Sequence, residues 1–194
     1  MFTIDDLELV NSKILHDLGN IVITMQMQTE IDDFNKEDAK EVYDNAVAKF
    51  KVLRNCFAGL EPELTLEKCY NQVYDYFAAK KIVVNINKFY DDNKYFYNGE
   101  YLRMLFNLIM FLVYITPKST INLETDSTTI NCTISNISNF DKVLSTLQNV
   151  EIDHSRYDYS PFLLIFNSII VKEKCTINFN KIDQESFNIN ITGK

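Results

Sequence analysis

In the segment SKILHDLGNIV, Ser12 to Val22, a histidine stands next to an aspartate, and an asparagine follows the histidine by four residues. The three side chains are those of His16, Asp17 and Asn20. A neutral imidazole, with an unperturbed pKa near ~6.5, is a competent nucleophile toward an activated phosphoryl group. A neighbouring carboxylate can accept the proton of one ring nitrogen and so keep the lone pair on the other nitrogen available. Other His-Asp chemistries fail on counting. A metal-dependent hydrolase would need further histidines, and the only other one is His154. A hydrolytic triad would need a Ser or Cys on a strained glycine-rich turn, and the chain has four glycines in all. Cys56, Cys69, Cys132 and Cys175 form no CxxC pair, so neither a metal site nor a disulfide framework is expected.

The elements that must position these residues can be read from periodicity. Leu7, Val10, Ile14, Leu18, Ile21 and Met25 recur at helical steps, as do Ala39, Tyr43, Ala46, Phe50, Leu53 and Phe57. This predicts two long helices joined near Asp32 to Asn35, the second opening on an Asn35 N-cap. At about 100° per residue, His16 lies roughly 200° from both Ile14 and Leu18 and points away from the apolar stripe. Asn20, Ile23 and Met27 continue its face, which places two apolar side chains beside a reactive group and marks a protein docking site. A lone helical hairpin buries little, so two hairpins pairing into a four-helix bundle are expected, and with them a homodimer.

The break AGLEPEL, around Gly59 and Pro62, separates residues 1–60 from residues 61–194. Beyond it the pattern predicts a helix over Leu64 to Ala79, a strand at KIVVNINKF and an apolar helix over Glu100 to Ile115. Two alternating strands, TINLETD and TINCTISN, flank a turn at Ser127 and Thr128. Helices over Asn139 to Leu147 and Ser160 to Val171 precede the strands CTINFN and SFNINIT. The expected fold class is α+β: an antiparallel helical hairpin followed by an α/β sandwich with helices on one face of a single sheet.

With 194 residues and 46% hydrophobic content, the chain has enough apolar sequence for a substantial core. Its net charge of −8, without a basic cluster, argues against nucleic acid as a partner. MFTIDDLE is acidic where a signal peptide would be basic. The apolar run from Met104 to Ile115 is too short to span a bilayer, so a cytoplasmic protein without membrane contact is expected.

HDLGN, residues 16 to 20, resembles the phosphoacceptor box of sensor histidine kinases. NAVAKFKVLRNCFAG resembles the second hairpin helix of the bacterial histidine phosphotransferase ChpT family, and the chain more distantly resembles the sporulation phosphotransferase B. The segment from Arg103 to Ile115 is similar to the Asn-box helix of the kinase ATPase domain, and residues 160 to 179 to its late helix and strand. The kinase pattern is incomplete, however. Phe111 stands where a second Asn would follow Asn107, and SNISNFD and SRYDYSPF carry none of the glycines that close approach to phosphate requires.

The resemblance implies a histidine phosphotransferase with a degenerate ATPase-like domain, passing a phosphoryl group through His16 between receiver-domain aspartates of a hybrid histidine kinase and of response regulators. By the same resemblance Asp17 orients His16 and Asn20 contacts the receiver's active site, while Ser12, Lys13, Ile23, Thr24 and Met27 frame docking. No cofactor is expected to be bound by this chain: ATP should not bind, and Mg2+ would arrive with the receiver. The alternative is a noncatalytic dimeric scaffold or antagonist that binds receivers or kinases without taking phosphate.

Overall fold

The chain enters its first helix through a reciprocal cap. Thr3 Oγ1 accepts from the Asp6 N–H at 3.1 Å, and the Asp6 carboxylate accepts from the Thr3 N–H at 2.8 Å, which satisfies two of the amides that a helix start leaves open. In this computed structural model, residues 3–29, 36–58, 65–78, 83–89, 99–125, 129–138, 140–148, 155 and 158–193 are described. Helix α1 spans Ile4–Thr29 and α2 spans Lys36–Leu53. They pack on each other, and the few residues between them permit only an antiparallel arrangement. The expected Asn35 cap, the break at residues 59–64, the turn at Ser127 and Thr128, and His154 lie outside the described residues.

The second helix does not remain α-helical to its end as expected. It widens into a π-helical turn, Arg54–Ala58, and the reason is visible in what its carbonyls meet. Arg103 donates from Nε to the Cys56 carbonyl at 3.0 Å and from Nη2 to the Phe57 carbonyl at 2.9 Å, while Asn107 Nδ2 reaches the Cys56 carbonyl at 3.4 Å. A rigid guanidinium fork suits two neighbouring acceptors. On the other side the buried Asn55 amide donates to the buried Gln72 side chain at 2.7 Å. These bonds fasten the hairpin to α3, Leu66–Ala78, and α4, Gly99–Ile115.

The remaining elements are β1 (Asn85–Phe89), β2 (Thr120–Thr125), β3 (Thr129–Ser135), α5 (Phe140–Gln148), α6 (Ser160–Lys172), β4 (Thr176–Lys181) and β5 (Phe187–Thr192). The five strands form one sheet in the order β1-β2-β3-β5-β4, with only the β1-β2 pair parallel. The first strand is shorter than expected, since Val83 and Val84 precede it. Alternation decides the faces. Ile121, Leu123, Ile130, Cys132, Ile134, Ile189 and Ile191 point into a core shared with α4 and α6. On the opposite face asparagines pair across strands, Asn87 Nδ2 donating to Asn122 Oδ1 at 2.8 Å and Asn188 Nδ2 to Thr133 Oγ1 at 3.1 Å. Such cross-strand pairing offsets the weak strand preference of Asn.

The fold is therefore the expected α+β arrangement, a helical hairpin followed by a sheet with helices on one face. Within one chain, however, the buried face of α1 is not the apolar stripe. The fully buried positions are Asp6, Leu9, Lys13 and Asp17, at steps of three, four and four. Val10, Ile14, Leu18 and Ile21 are half-buried, and Leu7 and Met25 are exposed. With Ile4, Leu15 and Val22 on α1 and Tyr43 and Phe50 on α2, they leave an open apolar face.

Candidate functional site

His16 sits midway along α1, and its side chain is 71% exposed. The helix carries it outward while the next residue, one step of about 100° around the axis, turns inward. Asp17 is consequently buried, although it adjoins this exposed ring. Its two carboxylate oxygens are used separately. Oδ1 lies 3.1 Å from His16 Nδ1, and Oδ2 lies 3.1 Å from the Lys13 ammonium. With the carboxylate accepting the Nδ1 proton, the neutral ring keeps its lone pair on Nε2.

Lys13 departs from its expected place among exposed docking residues. It is 5% exposed, and its ammonium stands 5.6 Å from the ring centroid of Tyr114 on α4 and 5.7 Å from that of Phe162 on α6. Those two rings are stacked, and Phe162 stacks in turn on Phe57 of the π-helical turn. The physical reason is pairing. A lysine three residues before His16 shares the inward face with Asp17 at i, i+4, where charge pairing and the aromatic faces offset its desolvation.

Two tyrosines complete the buried side. Tyr76 on α3 donates toward Asp17 Oδ2 across a long 3.5 Å contact, and its hydroxyl lies 3.1 Å from that of Tyr114. Burial raises the pKa of Tyr76 well above the ordinary phenol value, and the negative charge of Asp17 works in the same direction. Burial raises Tyr114 likewise. Both stay neutral phenols able to donate at physiological pH. The Cys56 thiol beneath them is also pushed up by burial and stays protonated, despite the nearby charges of Arg103 and Lys13.

On the open side, Asn20 Nδ2 lies 3.3 Å from His16 Nδ1 and 3.4 Å from Nε2. Near-equal distances mean that the amide rests against the ring rather than aiming at one lone pair. Ser12, more than two turns earlier on α1, is exposed. Ile23 and Met27, 56% and 62% exposed, continue the His16 face as expected. Thr24 is exposed, but its hydroxyl donates back to the Asn20 carbonyl at 2.7 Å. Ser12, Lys13, His16, Asp17 and Asn20, with Tyr114 and Asp158 from the other side, line a cleft of about 540 Å³ between α1 and the sandwich.

Sequence reasoning missed Tyr76, Tyr114, Phe162 and Asp158. A tyrosine inside an apolar run such as FLVYI signals a buried hydroxyl in need of a partner, but nothing in the run names that partner. Among the described residues, no His, Cys, Asp and Glu side chains cluster as a metal site. Nor is any helix among them long and apolar enough to cross a membrane. Asn107 and Phe111, the two positions compared with the kinase Asn box in the sequence, are both fully buried. Asn107 donates to the Arg103 carbonyl at 2.8 Å, and Phe111 meets Tyr159 edge-on at 5.7 Å.

No protein-family profile matches the sequence, and a search of curated proteins returns no match. Among solved structures, that of a bacterial phosphotransferase superposes over 98% of this chain and 97% of its own, with a TM-score of 0.68 at 16% identity. The two share a fold. A histidine kinase from Burkholderia phymatum STM815 aligns over 99% of each chain at 12% identity, with a TM-score of 0.40.

The ion pair makes a testable demand on stability. Asp17→Ala should cost about 3–5 kcal/mol, because it strands a buried ammonium. A Lys13→Met, Asp17→Leu double variant should recover most of that loss. Urea midpoints check both; equal losses in the single and double variants would mean that the pair is not the source.

Proposed function

We propose that this chain is a dimeric, cytoplasmic histidine phosphotransferase of the ChpT kind, relaying a phosphoryl group between receiver-domain aspartates through His16. The observation that carries this reading is the division of labour on one ring: Nδ1 lies against a buried carboxylate, while the side chain as a whole stays 71% exposed with only the Asn20 amide resting on it among the described residues. The fold shared with a bacterial phosphotransferase supports it.

The chemistry follows from that tautomer. The Nε2 lone pair attacks the phosphorus of a receiver's acyl phosphate, and the bond from phosphorus to the aspartate oxygen breaks. The receiver carboxylate leaves with the electron pair. The imidazole gains positive charge, which the Asp17 carboxylate offsets through the retained Nδ1–H. In the reverse step the carboxylate of a second receiver attacks the phosphorus, the N–P bond breaks, and its electron pair returns to Nε2. Transfer of this kind asks mainly for positioning and charge placement. Mg2+ belongs to the incoming receiver, Asn20 meets its active site, and Ile23 and Met27 give it apolar contact, with Ser12 and Thr24 at the margin.

ATP is not the phosphoryl source in this proposal. The positions a kinase uses to hold Mg-ATP are spent on packing here, Asn107 on the π-helical turn and Phe111 in the core. The degenerate ATPase-like part serves as a second face of the receiver cleft, through Tyr114 and Asp158.

His16→Ala should abolish phosphoryl uptake from a cognate phosphorylated receiver and leave receiver binding intact, whereas Mg-ATP should leave the native chain unlabelled. Ile23→Lys or Met27→Lys should raise the receiver concentration needed without lowering the maximal rate. A receiver that binds tightly yet never labels His16 would favour a noncatalytic scaffold.

The second copy covers the open apolar face of Ile4, Leu7, Leu15, Val22, Met25, Tyr43 and Phe50, closing a four-helix bundle. Sedimentation at tens of micromolar, on the order of ordinary assay concentrations, should return a dimer, and Leu15→Glu with Val22→Glu a monomer. A native chain that sediments as a monomer would remove this part of the reading.

A further inference from the structure

We propose that Lys13 is a positioning residue for the His16 reaction: buried between Asp17 and the stacked rings of Tyr114 and Phe162, it keeps the Asp17 carboxylate ionised and turned so that Oδ1 holds His16 Nδ1. The inference rests on the phosphotransferase reading for its kinetic arm, while its structural arm stands alone.

A carboxylate as buried as Asp17 would ordinarily take up a proton to escape the low-dielectric interior. Once protonated it could no longer be relied on to accept from Nδ1–H, and the ring would lose its fixed tautomer. The Lys13 ammonium at 3.1 Å opposes that protonation. Several titratable groups face the carboxylate among the described residues. On α1 itself these are Lys13 and His16. From α3 comes Tyr76 and from α4 Tyr114, both neutral donors. The Cys56 thiol of the π-helical turn stays protonated, and Asp158, just before α6, faces the same cleft. The Lys13 ammonium lies against Asp17 Oδ2 on the same buried face of α1, so its removal takes that positive charge from the carboxylate.

The placement also gives geometry. Lys13 can swing little, because Tyr114 and Phe162 come from two helices of the sandwich and stack 5.9 Å apart. The aspartate that aligns the histidine is thereby registered against α4 and α6 as well as against its own helix. Rotation of α1 relative to the sandwich would be felt at His16 through this pair.

The experiment is nitrogen NMR of selectively histidine-labelled full-length chain, native and Lys13→Met, alongside transfer kinetics from a phosphorylated receiver across pH. The native chain should show neutral His16 as the Nδ1–H tautomer. Lys13→Met, which keeps most of the stem volume, should shift it toward the Nε2–H form that imidazole otherwise favours in water. Maximal transfer rate should fall by ~10-fold to 10²-fold, half-saturating receiver concentration should stay level, and the acid limb of the rate profile should move to higher pH. Lys13→Arg, keeping the charge, should restore the tautomer. An unchanged tautomer in Lys13→Met, or a raised half-saturating concentration at full rate, overturns the proposal. Should Lys13→Met fail to fold, native His16 found as Nε2–H overturns it on its own, and Lys13→Arg found in the native tautomer supports it. The expected tautomers without any labelling of His16 would instead refute the phosphotransferase reading and leave the positioning role standing.

Discussion

One buried ion pair, Lys13 with Asp17, organises everything around it. A charged pair inside a small protein is expensive unless each partner is well held, and the surrounding helices are arranged to hold it. Tyr76 comes from α3, Tyr114 from α4 and Phe162 from α6, so the pair is the point at which the hairpin and the sandwich meet. The pair also sets a buried carboxylate against the solvent-exposed histidine, with Asp17 Oδ1 3.1 Å from His16 Nδ1. An exposed carboxylate would be hydrated and mobile, whereas the Asp17 carboxylate has no freedom to turn away.

The second fastening is the π-helical turn at the end of α2. Its Cys56 and Phe57 carbonyls bind the Arg103 fork, and Phe57 stacks on the same Phe162 that faces Lys13. Helix α4 thus uses Arg103 and Asn107 to join two parts of the chain. Asn107, in the middle of that helix, is fully buried and donates to backbone carbonyls.

Much of this was legible in the residues. Alternation in TINCTIS and FNINIT gave the strands and their faces because period two has one structural meaning, and the 200° offset of His16 from Ile14 and Leu18 placed the imidazole outside. The inward burial of Lys13 and Asp17 was not legible. Apolar periodicity reports every surface a helix loses to water, so the stripe through Leu7, Ile14 and Met25 dominated the reading, yet it faces away from the sandwich. A charged face is normally solvated, and only the tertiary arrival of Tyr76, Tyr114 and Phe162, 59 or more residues away, makes burial of this one tolerable. The π-helical turn escaped for a similar reason, since Arg103, which binds its carbonyls, is a long-range partner.

The central claim is that Asp17 holds Nδ1 and leaves Nε2 as the nucleophile, and the position of the phosphorus on the ring tests it most directly. Phosphorus and nitrogen NMR of the chain, after phosphorylation by a receiver, should show His16 phosphorylated at Nε2 with the Nδ1 proton retained. Phosphorus on Nδ1, or on any residue other than His16, would contradict the account.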